Sequence, residues 1–557
     1  MAYLTLDWHF SCLFWLFKAA PAASPGARLQ SPFRPHLVIS ITMPLSDLIQ
    51  TASARHPEQP ALITEDSTLR FSQLAERVDA AAALLRTHQV QAGDVVALAF
   101  GQTPVWQWVL LLGALRLGAV PAVLGARPHV QLRAITGQPP HLVVPAGSPL
   151  AGLPGVRAIP LDAASMQKLE DTRMVFGLPE PDSVRDSAGL IQFGGLDAPR
   201  AMRLSGPILL ARCQDLSSLC RFDRDSRLLS AVGVDAGPSI EAALAVWSSG
   251  GAVVLPKRVG ALLPLLRSTR PNRLVIAARA LAAWVETAPD ATELRALGCE
   301  VTVLGGPMTP ELGLATEELF GVGPQLLLWG PESGVFGVGS KVDWAAYPGC
   351  LGRAAPGVNV DVVGRDGNAL PVGRPGLIRV KTRSAVPGYL DGGESHTGLG
   401  LRQGWFDTGL VGHLAEDGRL CIQGAAVSPR PRSAAESSLA AANRVKVWNR
   451  ADLEAAAKAL PGVADACVLS QALPDRSSVP VIVYIGNTDD TPEQLGGRVQ
   501  ALLGDGHRFH LIRVPSMPRQ RDGSVDRDQL ATTLQAALGK TLPQAAAAAA
   551  AKAPTQH

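Results

Sequence analysis

Short apolar runs alternate with stretches of helical length from Met43 onward, and polar or Gly/Pro-containing turns separate them. Strands that alternate with helices at this spacing are typical of βαβ units and a largely parallel sheet. The elements predicted first are a helix at 45–54, strands at 61–64 and 68–71, a helix from its predicted cap Ser72 to Thr87, a strand at 95–100 and a helix at 106–116.

The same alternation returns in the middle of the chain, where short apolar strands are bounded by Gly, Pro or polar residues. These strands are predicted at 227–231, 252–255, 274–276, 301–304 and 325–328. Residues 350–424 differ, because their predicted strands are separated by tight turns rather than by helices. Those strands lie at 358–363, 376–382 and 419–423, and they indicate a β subdomain that ends the large body.

Residues 425–443 are rich in Ala, Ser and Pro and lack periodicity, which predicts an interdomain linker. A compact unit follows, with strands predicted at 444–448, 466–470, 479–485 and 511–514 and helices at 450–460 and 492–503. We therefore predict an α/β fold with a large N-terminal body of βαβ-type subdomains plus a β subdomain (43–424), followed by a small α+β C-terminal lid domain (444–540). The low-complexity tail at 541–557 is predicted to be disordered or a frayed helix, and the extension at 1–42 is predicted to be either disordered or non-native.

The composition excludes several classes of protein. Of 557 residues, 47% are hydrophobic and 18% are charged, which is enough for a large core. The net charge of +3 is spread along the chain without a basic stripe, so we predict no nucleic-acid binding. The apolar patch at 8–17 is too short for a membrane span and lacks the preceding basic residues of a signal peptide.

The seven cysteines are scattered and show neither C-x-x-C pairs nor a metal-like grouping with His. This pattern fits a reducing compartment and ordinary burial, so a cytoplasmic location is predicted.

Ordered motifs along nearly the whole chain carry a family resemblance. They are PEQPALI at 57–63, TLRFSQL at 68–74, GDVVAL at 93–98, LGAVP at 117–121, YPGCLGR at 347–353, PGV at 356–358, GYL at 388–390, GWFDTG at 404–409, MPR at 517–519 and DGSVDR at 522–527. In this order the segments resemble the acyl-adenylate-forming (AMP-binding) ligase superfamily, which includes acyl-CoA synthetases, non-ribosomal adenylation domains and luciferases.

The resemblance implies a reaction in two steps. A carboxylate attacks the α-phosphate of ATP, with Mg²⁺ present, to give an acyl-adenylate and pyrophosphate. A thiol of coenzyme A or of an acyl-carrier protein then captures the acyl group. The expected partners are therefore a carboxylic acid or acyl group and a possible carrier protein, and each step can be checked against this sequence.

The phosphate-binding loop of the family corresponds to residues 191–200. Gly194, Gly195 and Pro199 are kept, and Arg200 supplies a cation where Lys is expected. The family's hydroxyl residues are absent, and Asp197 adds a negative charge that disfavours a triphosphate. Taken alone, the Gly-Gly pair is more typical of a plain turn than of a phosphate-binding loop.

The family's aromatic-Gly-x-Thr-Glu motif corresponds to Trp329, Gly330 and Glu332, directly after a predicted strand. The resemblance implies that Trp329 stacks on the base and that Glu332 is a weak Mg²⁺ ligand. The alternative is a loop that carries a solvated glutamate.

The ribose contact is changed. The family's Thr-Gly-Asp is replaced by Thr408, Gly409 and Leu410, so an acceptor for the ribose hydroxyls is missing. Losing such a charged hydrogen bond costs about 1.5–3 kcal/mol. Asp407 and Thr408 remain candidates for nucleotide contact, although Asp407 faces away from position 410 if the segment is regularly extended. The Arg expected after the strand at 419–423 is also absent, because Gly424 is followed by Ala425.

The catalytic Lys that the family's C-terminal domain supplies corresponds to Ser524, which carries no charge. Arg521 and Arg527 are nearby cations. Losing one preorganised electrostatic group commonly costs about 10²–10³ in rate. Gly305, Gly306 and Pro307 follow the predicted strand at 301–304 and are candidates for the acyl pocket or for a structural turn.

Three hypotheses follow. The first is a divergent AMP-dependent synthetase/ligase homologue, a pseudoenzyme or near-pseudoenzyme with weak or lost adenylation. The second is an active acid–thiol ligase that uses Arg200, Glu332 and Arg521 as replacement residues. The third is a non-catalytic subunit that binds an acyl group or a carrier protein.

Overall fold

The computed structural model describes residues 44–538 apart from short gaps. Those gaps are 101–103, 126, 171–187, 195–198, 234, 256–261, 288–290, 306–307, 346, 348–349, 365–366, 392–403, 426–449, 461, 473–477, 487–493, 498, 501–508 and 520–524. The predicted extension, most of the predicted linker, the strand predicted at 444–448 and the low-complexity tail lie outside the described residues.

The described helices are α1 (Leu48–Arg55), α2 (Phe71–Thr87), α3 (Pro104–Arg116), α4 (Pro128–Ala134), α5 (Ala163–Glu170), α6 (Gly206–Cys220), α7 (Gly237–Ser248), α8 (Leu262–Thr269), α9 (Ala278–Thr287), α10 (Ala291–Ala296), α11 (Pro310–Phe320), α12 (Lys341–Trp344), α13 (Arg450–Lys458) and α14 (Arg527–Leu538). Short 3₁₀ segments precede α1 and follow residue 148.

The strands of the large body are β1 (Pro60–Ile63), β2 (Thr68–Arg70), β3 (Val95–Leu98), β4 (Val120–Val123), β5 (His141–Pro145), β6 (Arg157–Leu161), β7 (Gly189–Gly194), β8 (Arg200–Ser205), β9 (Arg227–Ser230), β10 (Ala252–Val254), β11 (Arg273–Ala277), β12 (Glu300–Leu304), β13 (Gln325–Gly330), β14 (Gly334–Gly339), β15 (Cys350–Ala354), β16 (Asn359–Val363), β17 (Gly376–Lys381), β18 (Phe406–Leu414) and β19 (Arg419–Ala425). Three more follow near the C-terminus: β20 (Val463–Ala472), β21 (Ser478–Gly486) and β22 (His510–Arg513).

The largest sheet of the described residues has 13 strands in the order β16-β17-β18-β19-β15-β14-β13-β12-β11-β9-β10-β1-β2. Its middle strands, from β13 to β1, pair in parallel, and antiparallel strands extend it on both sides. The predicted parallel sheet is therefore confirmed, and the predicted β subdomain is the antiparallel group β16 to β19 at one end.

A second sheet of six strands has the order β6-β5-β3-β4-β7-β8. Its strands are parallel except for the β7–β8 hairpin. A third sheet, β20-β21-β22, packs with α13 and α14 into the small C-terminal α+β unit. This arrangement confirms the predicted α/β class with a smaller C-terminal part.

Helices α3 and α7 form the centre of the main core, because both are apolar on nearly every side. Trp108 of α3 meets Trp247 of α7 edge-on, with the ring centroids 5.1 Å apart. The Trp247 indole N–H also donates to the carbonyl oxygen of Ala61 at 2.7 Å, so its one polar atom is satisfied inside the core.

Several predictions are wrong or incomplete in detail. Ser72 does not cap α2, because the helix begins one residue earlier at Phe71 and Arg70 occupies the cap position, with the Gln73 side chain accepting from its backbone N–H. Strands β14 and β18 are not among the predicted elements, since both contain several glycines and lack a regular apolar alternation. Within the described residues, no helix is long and apolar enough to cross a membrane.

All the described cysteines are buried, as expected, but two of them are bonded, which the sequence did not predict. Cys350 of β15 and Cys421 of β19 are cross-strand partners and form a disulfide. Their 71-residue separation gives no sequence signal of pairing. Cys213, Cys220, Cys299 and Cys467 are not disulfide-bonded.

Candidate functional site

The carboxyl end of β7 and the loop after β13 meet where the two large sheets approach each other. The meeting point is Gly194, the last residue of β7. A Cβ added there would lie 2.3 Å from Oε1 of Glu332 and 2.5 Å from Cε of Met202. Only glycine therefore lets the Glu332 carboxylate pack against this backbone.

Tyr389 fixes the Glu332 carboxylate in this position. Its hydroxyl donates to Glu332 Oε1 at 2.6 Å, and both side chains are buried. Burial raises the pKa of Tyr389 well above its usual value, and the negative charge of Glu332 raises it further. The phenol is therefore held in its protonated, donating form.

Arg200, the first residue of β8, is held by two protein groups. Its Nε and Nη2 donate to the two carboxylate oxygens of Asp391 at 2.9 and 2.7 Å. Its guanidinium carbon also lies 3.7 Å from the centre of the Tyr389 ring. The cation that the sequence assigns to a phosphate is therefore part of a chain of contacts that links Asp391, Arg200, Tyr389 and Glu332.

A second group of charges is buried beside the first. Arg212 of α6 and Glu241 of α7 are 1% and 0% exposed, and Nη1 of Arg212 lies 2.8 Å from Oε1 of Glu241. Gln192 Nε2 donates to the same oxygen at 2.8 Å. Trp329 Nε1 donates to the other oxygen, Oε2, also at 2.8 Å. The Glu241 carboxylate is thus satisfied entirely by this chain.

Arg212 joins this buried group to the Glu332 loop. Its Nη1 donates to the carbonyl oxygen of Pro331 at 3.0 Å, and its Nε donates to that of Ser384 at 2.9 Å. We call the combined set the charged edge, and its members are Gln192, Arg200, Arg212, Glu241, Trp329, Glu332, Tyr389 and Asp391.

The structure brings together four of the predicted nucleotide candidates: Gly194, Arg200, Trp329 and Glu332, with Gly330 next to Glu332. Gly195 lies outside the described residues. The alternative of a solvated Glu332 is wrong, because this side chain is only 5% exposed. Trp329 directs its indole N–H to Glu241, a contact that the sequence did not predict.

Asp407 and Thr408 lie on β18 and mainly bond within their own strand pair. Asp407 Oδ1 accepts from the N–H of Gly409 at 3.0 Å, and Thr408 Oγ1 donates to the carbonyl oxygen of Ile378 at 2.8 Å. Gly409 has a φ of +69°, and the β17–β18 register shifts here. The strand is therefore not regularly extended, and the argument that placed Asp407 on the opposite face from position 410 does not apply.

Leu410 packs as a partly buried side chain against the apolar cluster that includes Ile378, Val380 and Phe406. Gly305 forms a turn with a φ of +73°, and its N–H donates to the carbonyl oxygen of Leu327. Gly306 and Pro307 lie outside the described residues, so their assignment to an acyl pocket stays a prediction.

The family model described as AMP-binding enzyme matches residues 49–134 and 209–390 of this chain. The chain belongs to the AMP-binding, acyl-CoA synthetase-like superfamily.

Among curated relatives of this superfamily member is a 2-hydroxy-7-methoxy-5-methyl-1-naphthoate–CoA ligase from Streptomyces carzinostaticus. It is 24% identical over 86% of this chain and 91% of the relative. A salicylyl-CoA synthase/salicylate adenylyltransferase from a Streptomyces species is 22% identical over 87% of this chain and 93% of the relative.

Among solved structures, that of ATP-bound MatB from Rhodopseudomonas palustris superposes with a TM-score of 0.66. It is 20% identical and covers 88% of this chain and 99% of its own. This likeness establishes the adenylate-forming fold.

The segment that resembles the family's closing motif lies in the C-terminal unit of this chain. Arg519 pairs with Val525 in an isolated bridge, and its Nη2 lies 2.5 Å from Oδ2 of Asp465. Arg527 pairs with Glu454 at 2.8 Å, so this predicted cation is engaged within the C-terminal unit. Ser524, which is predicted to occupy the position of the family's Lys, and Arg521 lie outside the described residues, so both assignments stay predictions.

The described part of the chain contains no group of three His, Cys, Asp or Glu side chains that could hold a metal ion. That Glu332 is a weak ligand of Mg²⁺ therefore stays a prediction, and no other described residue is assigned to the metal.

Sequence reasoning missed Gln192, Arg212, Glu241, Tyr389 and Asp391 as members of the site. A signal existed for two of them, because Glu241 is the single charged residue of the apolar helix α7 and Arg212 directly follows an apolar run in α6. A charge in such a run is almost never fully buried unless it is paired. The sequence around Gln192, Tyr389 and Asp391 contains no comparable signal.

Proposed function

We propose that this chain is a divergent acyl-CoA synthetase-like protein in which carboxylic-acid activation by adenylation is weak or lost. The observation that carries the proposal is the pairing of Arg200 with Asp391 beside the buried Glu332 carboxylate. One positive and two negative groups leave a net negative charge beside Gly194, where the family's fold receives a triphosphate.

The net negative charge beside Gly194 repels a bound anion such as a triphosphate. Two like charges about 4 Å apart repel by about 4 kcal/mol at an effective dielectric constant near 20. That is roughly a thousandfold in affinity. The Arg200–Asp391 pair alone would be a weak obstacle, because Asp391 is 43% exposed and such pairs contribute about 0–1 kcal/mol. The buried Glu332 is the stronger one. In the family Mg²⁺ offsets the glutamate of this motif, whereas here Oε1 of Glu332 already accepts from the Tyr389 hydroxyl at 2.6 Å, and the described residues provide no group of three metal-ligating side chains around it.

The ribose side supports the same proposal. Leu410 stands where the family has a carboxylate, and it packs on an apolar cluster instead. The residues present therefore fit ATP poorly at both the phosphates and the ribose, and we derive no reaction step through ATP.

A second candidate function is an active acid–thiol ligase that uses Arg200, Glu332 and Arg521. The convergence of Gly194, Arg200 and Glu332 favours it, because Glu332 could then act through a bound Mg²⁺. The acids to consider first are aromatic, since both curated relatives are named for aromatic carboxylates.

A pyrophosphate-release assay separates the two functions. The purified full chain is incubated with ATP, Mg²⁺ and coenzyme A and with a panel that contains salicylate, a hydroxynaphthoate and aliphatic acids. We expect no release above the control without acid. Sustained, acid-dependent release with any member of the panel would overturn the proposal and establish the active ligase.

A further inference from the structure

We propose that Cys350 and Cys421 form a reversible thiol–disulfide site that fastens the antiparallel β subdomain to the rest of the large sheet. Thiols and disulfides of the glutathione class are its expected exchange partners.

The position of the bond in the sheet motivates this proposal. In the strand order of the large sheet, β16 to β19 join the other strands only through the β19–β15 neighbour pair. Cys350 and Cys421 are directly opposite each other in that pair. The disulfide therefore crosses the seam at which the β subdomain attaches by strand pairing.

The seam is one of several irregular points in the antiparallel part of the sheet. The β15–β19 register is defined by Cys350 with Cys421 and Arg353 with Arg419, and it shifts between these two positions. A shifted register interrupts the regular hydrogen bonds of an antiparallel pair. The disulfide adds a covalent connection at a point where the backbone hydrogen bonds are interrupted.

Ion pairs support the same seam, and one of them joins β19 to α12. Arg419 of β19 lies 3.1 Å from Asp343 of α12, and both side chains are largely buried. Arg419 also covers the ring of Tyr347, which is 47% exposed. The backbone N–H of Cys350 donates to the carbonyl oxygen of Tyr347, and Cys350 itself is 9% exposed.

Three other described cysteines, Cys213, Cys220 and Cys299, are buried and do not compete for the same chemistry. Burial raises the pKa of Cys220 and of Cys299 to about 12, and it raises the pKa of Cys213 well above its usual value. Since the thiolate is the reactive form, these thiols are poor nucleophiles at neutral pH.

The exchange is balanced in two steps. The thiolate of one cysteine attacks oxidised glutathione, forms a mixed disulfide and releases one glutathione thiolate. The second cysteine then attacks the mixed disulfide, closes the protein bond and releases the second glutathione. Reduction runs the same steps in reverse, with two glutathione thiols as the electron donors.

Differential alkylation of the full chain tests the bond. The protein is equilibrated in glutathione buffers from reducing to oxidising, denatured, alkylated, reduced and alkylated again with a second reagent before peptide mapping. We expect Cys350 and Cys421 to convert together in one reversible transition, while Cys213, Cys220 and Cys299 take the first label throughout. First-label alkylation of Cys350 and Cys421 in every buffer would overturn the proposal.

Hydrogen–deuterium exchange tests the fastening role. Reduction is expected to accelerate exchange in β18 and β19 by about tenfold or more, and to leave β11 and β12 unchanged. The Cys350→Ser/Cys421→Ser variant should show the same fast exchange in both buffers. If that variant fails to fold, the wild-type comparison still decides, and equal exchange of β18 and β19 in the two buffers would contradict the fastening role.

Discussion

The parallel strands of the large sheet and the charged edge beside them are built on opposite principles. The strands from β9 to β13 bury Leu, Val and Ile side chains in two apolar clusters, in which each side chain packs against many others. The charged edge instead depends on specific polar contacts, such as those that Arg212, Gln192 and Trp329 make with the Glu241 carboxylate.

The difference shows how a fold can persist while its site changes. Apolar contacts are non-directional, so a cluster tolerates exchanges of similar volume. A buried charge needs a specific partner at a specific distance. In this chain most polar atoms of the charged edge contact other groups of the chain, while the buried Nη2 of Arg212 has no hydrogen-bond partner among the described residues.

Removing one buried charge of the charged edge is expected to have the largest effect on stability. Arg212→Ala leaves Glu241 uncompensated and should lower the free energy of unfolding by about 3–5 kcal/mol, measured by urea denaturation. Arg267→Ala is the matched control, because its pair with Glu293 is exposed and should contribute less than about 1 kcal/mol.

A paired replacement sharpens that result. Arg212→Met combined with Glu241→Gln removes both charges and should recover much of the loss. If Arg212→Ala costs no more than Arg267→Ala, the buried pair is not a structural requirement and the contrast with the sheet core fails.

A smaller effect is expected at Gly194. The added methyl group of Gly194→Ala meets the Glu332 carboxylate and Met202, so the free energy of unfolding should fall by about 1–3 kcal/mol. Gly152→Ala is the control, because no atom lies within 4 Å of a Cβ there, and it should change stability by about 0.5 kcal/mol or less.

The Gly194 effect should also depend on Glu332. In a Glu332→Ala background, the cost of Gly194→Ala should be smaller, since the carboxylate that opposes the methyl group is gone. Strictly additive costs would show that Glu332 does not pack against Gly194.

The smallest effect concerns pH in the C-terminal unit. Burial alone would raise the pKa of Asp465, but hydrogen bonds and charges from Lys458 and Arg519 outweigh it and hold the pKa below its usual value. The stability that this carboxylate contributes is therefore present above its unfolded-state pKa of about 3.9 and is lost as the pH falls through the lower folded-state pKa.

Hydrogen exchange of β20 and β21 in wild type and Asp465→Asn tests this sign. The variant should be less protected than wild type at pH 6, and the two should converge below about pH 4. A difference that is equally large at both pH values would contradict the assignment.

The sequence predicted the fold well where apolar runs were clear. The strands at β9 to β13 and helices α2 and α3 agree with prediction to within a few residues. It did not predict β5 to β8, or β14 and β18, where glycines interrupt the alternation, or α14, which directly follows the DGSVD segment.

The site was predicted only in part, for a physical reason. Motif positions located Gly194, Arg200, Trp329 and Glu332, but not their partners. Arg200 and Asp391 are 191 positions apart, and Arg212 and Pro331 are 119 apart, so local sequence contains no information about either contact. The same holds for Cys350 and Cys421.

The most direct test of the central claim is isothermal titration of the full chain and of Glu332→Gln with ATP and Mg²⁺. If the negative charge at Gly194 opposes the triphosphate, wild type should show no saturable binding in the micromolar range, and Glu332→Gln should bind more tightly. Micromolar binding by wild type that Glu332→Gln weakens would contradict the account, because Glu332 would then be serving the nucleotide through its metal.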